Sequence, residues 1–93
     1  LVPAALQLSL YPNPFHGSVT AEVKNIDADR VKLDVYNLKG QKVYSHQYFD
    51  TGKSQTFSWD ARDSLNHRVA NGIYLIKISS GAQTKISKAI LIK

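Results

Sequence analysis

His16, His46 and His67 are the side chains best suited to acid–base or metal chemistry in this 93-residue chain. No two have the His-x-His or His-x-x-x-His spacing that would bring two imidazoles to one ligand sphere. They read as surface or loop histidines. Cysteine is absent, which removes a thiol nucleophile and a thiolate zinc site. No serine stands in a Gly-x-Ser-x-Gly elbow, and no glycine-rich loop could cradle a phosphate. Asp27-Ala28-Asp29 and Asp60-Ala61-Arg62-Asp63 are the local carboxylate pairs. Calcium takes about six to eight oxygens, more than either loop supplies alone. Asp bonding to nearby backbone N–H groups is the more economical use of these residues. No catalytic constellation emerges, so the expectation is a non-enzyme without metal or cofactor.

The aromatic residues allow one binding function. Tyr36, Tyr44 and Tyr48 would stack a carbohydrate if all three pointed outward from two neighbouring strands. Tyrosines scattered on sheets are also ordinary. Phe57 and Trp59, two apart, share one strand face and are expected in the core.

Twelve basic and seven acidic residues give a formal charge of +5. Lys and Arg are spread singly, so they read as solvated strand faces and not as a nucleic-acid footprint. The chain has the size of one domain, and its 43% apolar content suits a globular core. No run approaches the roughly 18 apolar residues of a transmembrane helix. The chain starts at Leu1, contains no methionine and carries no apolar signal core. A piece of a larger secreted protein is therefore expected.

The positioning elements follow from period-two alternation. Val19, Ala21 and Val23 alternate with Thr20, Glu22 and Lys24, and Val31, Leu33 and Val35 with Lys32, Asp34 and Tyr36. Strands are expected near residues 6–11, 18–24, 30–36, 42–49, 55–59, 72–79 and 84–93. Asn37-Leu38-Lys39-Gly40 has the type I turn signature, and residues 50–53 and 79–82 suggest two further tight turns. Seven short strands predict an all-β, single antiparallel Ig-like sandwich. Residues 1–7 read as the end of a linker and the start of the first strand, and 8–93 as the domain. Tyr11-Pro12-Asn13-Pro14-Phe15 must leave the ladder, because each proline lacks a donor, and Phe15 is expected to plug the open end.

Five pieces in order carry a resemblance: Tyr11-Pro12-Asn13-Pro14-Phe15; Val31 to Asn37 leading into Gly40-Gln41-Lys42-Val43; Phe57-Ser58-Trp59-Asp60; Asn71-Gly72-Ile73-Tyr74; and Lys88 to Lys93. Over roughly residues 8–93 the chain resembles the type A C-terminal sorting domain of the type IX secretion system. The resemblance implies a recognition signal for export across the outer membrane and surface attachment. The implied partners are the outer-membrane translocon, a sortase-like enzyme and an N-terminal cargo domain in the same polypeptide. It also implies a secreted or surface location after passage through the periplasm. By position, the recognition residues are Pro12, Pro14, Gly72, Tyr74, Gly81, Lys88, Ile90, Ile92 and Lys93. Where the family often has glycine, this chain has Ala61 and Asn66. The hook-capping protein of flagella shares the Trp-Asp and Gly-x-Tyr patterns, and the terminal Lys93 favours sorting over it. A carbohydrate-binding or structural accessory module of a secreted enzyme is the alternative.

Overall fold

The computed structural model describes residues 5–26, 28–49 and 52–92. Strands β1 (Gln7–Tyr11), β2 (Val19–Lys24) and β5 (Ser54–Trp59) form one antiparallel sheet in the order β1-β2-β5. Strands β3 (Arg30–Asn37), β4 (Lys42–Phe49), β6 (Gly72–Ser80) and β7 (Gln83–Leu91) form the other, in the order β4-β3-β6-β7. The two sheets pack as a sandwich, and all seven expected strands are present.

Alternation decides which residues meet between the sheets. Val19, Ala21, Val23, Phe57 and Trp59 come from the three-stranded sheet. Opposite them lie Val31, Leu33, Val35, Tyr74, Ile76, Ile78, Ala89 and Leu91. Leu6, Phe15, Ile26 and Ala61, outside the strands, are buried in the same cluster. The folded unit thus reaches back to Leu6, which is fully buried. Trp59 is the centre of the aromatic packing: its ring centroid lies 6.0 Å from that of Phe15 and 5.4 Å from that of Tyr74. Phe15 closes one end of the sandwich, as its position after two prolines suggests.

The β3–β4 turn follows its chemistry, and the β6–β7 turn is shifted by one residue. Gly40 N–H donates to the Asn37 carbonyl at 3.0 Å, while Asn37 Oδ1 accepts from the N–H groups of Lys39 and Gln41. Gly40 has φ 83°, a left-handed value that favours glycine. The β6–β7 hairpin turns at Gly81-Ala82, with Ser80 paired to Gln83, one residue later than the sequence suggests. The segment at residues 50–53, where a tight turn is expected, joins β4 to β5, which belong to different sheets. Asp50 and Thr51 of that turn lie outside the described residues.

Because Trp59 joins both sheets and donates its indole N–H to the Arg62 carbonyl at 2.9 Å, Trp59→Ala removes packing and leaves that carbonyl without its donor. The expected loss is roughly 3–5 kcal/mol of unfolding free energy, read as a lowered midpoint in a urea titration. A midpoint within error of the parent would contradict this core.

Candidate recognition site

The five residues from Tyr11 to Phe15 hold the last strand. Pro12 and Pro14 have no N–H to give a ladder, which leaves Asn13 and Phe15 as the residues able to bond. Asn13 uses both ends of its carboxamide: Nδ2 donates to the Lys88 carbonyl at 2.7 Å, and Oδ1 accepts from Ile90 N–H at 2.9 Å. Phe15 continues the same edge with its backbone. Its N–H donates to the Ile90 carbonyl at 2.8 Å, and its carbonyl accepts from Ile92 N–H at 2.9 Å. His16 Nδ1–H donates to the Ile92 carbonyl at 2.8 Å. The Phe15–Leu91 bridge is parallel. Five bonds therefore clamp Lys88 to Ile92 onto a segment about 75 residues earlier. The sequence motif flagged the segment, but the carboxamide of Asn13 bridging two backbone groups gave no signal beyond the known adaptability of Asn.

The start of β6 lies beside the clamp. Gly72 pairs with Leu91, Ile73 with Ile90 and Tyr74 with Ala89. Gly72 has φ 149°, a value that L side chains rarely adopt. Tyr74 is buried against Trp59 and its hydroxyl donates to the Ala70 carbonyl. Residues 60–70 form the adjoining loop. There Asp63 Oδ1 accepts from the N–H groups of Leu65 and His67, both at 2.9 Å, so this carboxylate serves the turn. Asn66 has φ 67°, which Asn tolerates. Ala61, fully buried, has φ 60°: it holds the left-handed backbone at a cost instead of restoring an ordinary φ. A shallow cleft of about 260 Å³ opens at this end between the β3–β4 turn and the start of β6, lined by Leu38, Gly72, Ile73 and Tyr74. Leu38 is 67% exposed there.

Pro12, Pro14, Gly72, Tyr74, Lys88, Ile90 and Ile92 thus converge on one end of the sandwich. Gly81 does not join them. It sits in the hairpin at the opposite end of β7, where it lines a cleft of about 370 Å³ with Asp29, Arg30 and Lys32. Lys93 lies outside the described residues. The three candidate sugar-binding tyrosines do not share a face. Tyr44 and Tyr48 pair with Val35 and Val31, which face the core, and both pack against it. Tyr36 is on the outer face of the same sheet. Tyr48 instead stacks inward, its ring centroid 4.2 Å from that of Phe57. Asp34 was expected on a solvated face, yet it is 3% exposed. Ser45 Oγ donates to it at 2.6 Å, and the ammonium groups of Lys42 and Lys32 lie 3.7 and 3.9 Å away. Among the described residues, no three His, Asp or Glu side chains gather as a metal site would require.

Residues 9–93 match the family described as the secretion system C-terminal sorting domain. The chain belongs to this family. A C-terminal sorting domain of this kind acts as the type IX secretion signal of a larger cargo protein, and the domain itself is non-catalytic. Such domains are recognised by the type IX machinery, and their cargo is secreted across the outer membrane. No curated protein matches the chain significantly. Among solved structures it is similar to dimeric latent PorU from Porphyromonas gingivalis, with TM-score 0.71 and 22% identity. That alignment covers 99% of this chain and 10% of the PorU chain, so this chain spans about a tenth of that protein's length. At this identity the likeness shows the fold alone.

Burial raises the phenol pKa of Tyr74, and burial followed by the neighbouring Tyr44 raises that of Tyr48. A phenol whose folded pKa lies above its unfolded value of about 10 contributes stability in full below that value and loses it as pH rises further. Urea midpoints are therefore expected to fall above about pH 10, and to fall less steeply in Tyr48→Phe. Identical slopes in parent and variant would contradict the burial of Tyr48.

Proposed function

We propose that the end of the sandwich holding Pro12, Pro14, Gly72, Tyr74, Lys88, Ile90 and Ile92 is the surface by which the outer-membrane translocon recognises this sorting domain. The observation that carries this reading is convergence. Three separate segments, each part of the family pattern, meet through the clamp of Asn13 and Phe15 on β7. Folding explains Tyr74 and the backbone of Gly72. It does not require the exposure of Pro12, Pro14, Lys88 and Ile92. In this proposal Gly81 serves the hairpin, and Lys93, which lies outside the described residues, serves as the handle. The cargo lies N-terminal to residues 1–7 in the same polypeptide. After export, a sortase-like enzyme acts on the protein and leaves the cargo secreted or at the outer-membrane surface.

A reporter tests this directly. Residues 1–93 are fused behind a fluorescent protein with an ordinary signal peptide, in a type IX-competent bacterium and in its translocon-deficient mutant. Fluorescence is expected outside the competent cells and in the periplasm of the mutant. Retention of intact, folded fusion in both strains would overturn the proposal. Lys93→Ala should change stability by no more than about 0.5 kcal/mol while reducing export; an unfolded variant would make Lys93 structural.

A further inference from the structure

The clamp occupies only half of an edge. In the β6–β7 pair, the backbone groups of Ile90 point away from β6, because they bond Asn13 and Phe15. Antiparallel strands alternate in direction residue by residue, and the register runs without a bulge from Gly72–Leu91 to Ser80–Gln83. Thr84, Ile86 and Lys88 therefore also turn their backbone groups away from β6. The Lys88 carbonyl is taken by Asn13. The N–H and C=O of Thr84 and Ile86 and the N–H of Lys88 remain. β1 runs nearby but pairs only with β2. Thr84, Lys85, Ile86 and Lys88 are all exposed, Ile86 at 59%.

Open edges are usually blunted, because they template pairing with another chain. Here the blunting is by charge of one sign. Lys85 and Lys88 lie on β7 and Lys77 on the neighbouring strand, while β1, β6 and β7 contain no Asp or Glu. A second copy of this edge would bring the same lysines together. An acidic strand would find complementary charge along its whole length.

We propose that the open half of β7 is a strand-addition site for an extended, acidic segment of a partner protein. The segment adds about four or five residues, given a rise of roughly 3.3 Å per residue. Its backbone takes the free groups of Thr84, Ile86 and Lys88. Its carboxylates lie on the outer face, where Lys77 and Lys88 flank Ile86, and its alternate side chains lie on the opposite face, which Lys85 shares with Ala89 and Leu91. This assignment rests on the sorting reading for its biological partner, a component of the secretion machinery, but the edge can be tested without it.

The probe is an acetylated, amidated pentapeptide alternating valine with glutamate, titrated into the ¹⁵N-labelled domain. Amide shifts are expected at Thr84, Ile86 and Lys88, with the lysine-containing counterpart binding at least about tenfold more weakly. Ile86→Pro removes an edge-facing N–H without touching the β6 ladder, a position where proline is tolerated. It should stay folded and lose the shifts. Should that variant unfold, the pair K77E and K88E, both on the outer face, serves instead and should reverse the peptide preference. No localised shift, equal binding of both peptides, or a dimer abolished by the same variants would overturn the proposal. In the reporter fusion, the folded edge variant should be retained in the periplasm while the parent is exported; normal export would overturn the assignment to the secretion machinery. If the parent fusion itself is retained, the sorting reading fails and the peptide result stands on its own.

Discussion

The structure depends on how its last strand is held. Five hydrogen bonds from Asn13, Phe15 and His16 take up the edge of β7 from the Lys88 carbonyl to Ile92. Without them β7 would be an edge strand attached through β6 alone at its C-terminal half. With them, the strand is locked between β6 and a segment that also delivers the Phe15 ring to Trp59. The prolines on either side of Asn13 keep this segment from becoming an ordinary strand, because neither has an N–H. A short non-strand segment therefore joins the start of the fold to its end. Closing so long a loop has a chain-entropy cost that grows only slowly with length, and the buried rings at the same corner offset it.

Much of the polar chemistry flagged by the sequence is used in holding this shape. Asp63 serves a turn, Asn37 serves the β3–β4 hairpin, and Asp34 sits beneath Ser45 and two lysines. Such interactions fix a surface without making a reactive centre. Leu38, the two prolines, Lys88 and Ile92 are exposed around the clamp, while Ile86 and Gly81 are exposed towards the opposite end of β7.

The strands were legible because one face of most of them is dry. In β2 and β3, alternation alone places Val19, Ala21, Val23, Val31, Leu33 and Val35 in the core. Sheet membership was not legible. Nothing local distinguishes the β3–β4 connection, a hairpin, from the β4–β5 connection, a crossing between sheets. The β4 tyrosines show the same limit: both faces of that strand carry polar and aromatic residues, and only its pairing with β3 turns Tyr44 and Tyr48 inward. The burial of Asp34 likewise arises from side chains on neighbouring positions, which period-two reading cannot see. The convergence of Pro12, Pro14, Gly72, Tyr74 and the last strand was legible only as a family resemblance, since residues 13 and 88 meet through a carboxamide.

Amide hydrogen exchange at Ile90 and Ile92 tests the clamp most directly. These two N–H groups donate to Asn13 Oδ1 and to the Phe15 carbonyl. If the clamp is integral to the fold, both amides exchange only by the global unfolding that also exposes Val35 in the middle of β3, with the same free energy and the same urea dependence. Exchange of Ile90 and Ile92 through a local opening, at a free energy well below that of Val35, would show that the final strand frays independently and that the clamp does not hold the fold closed.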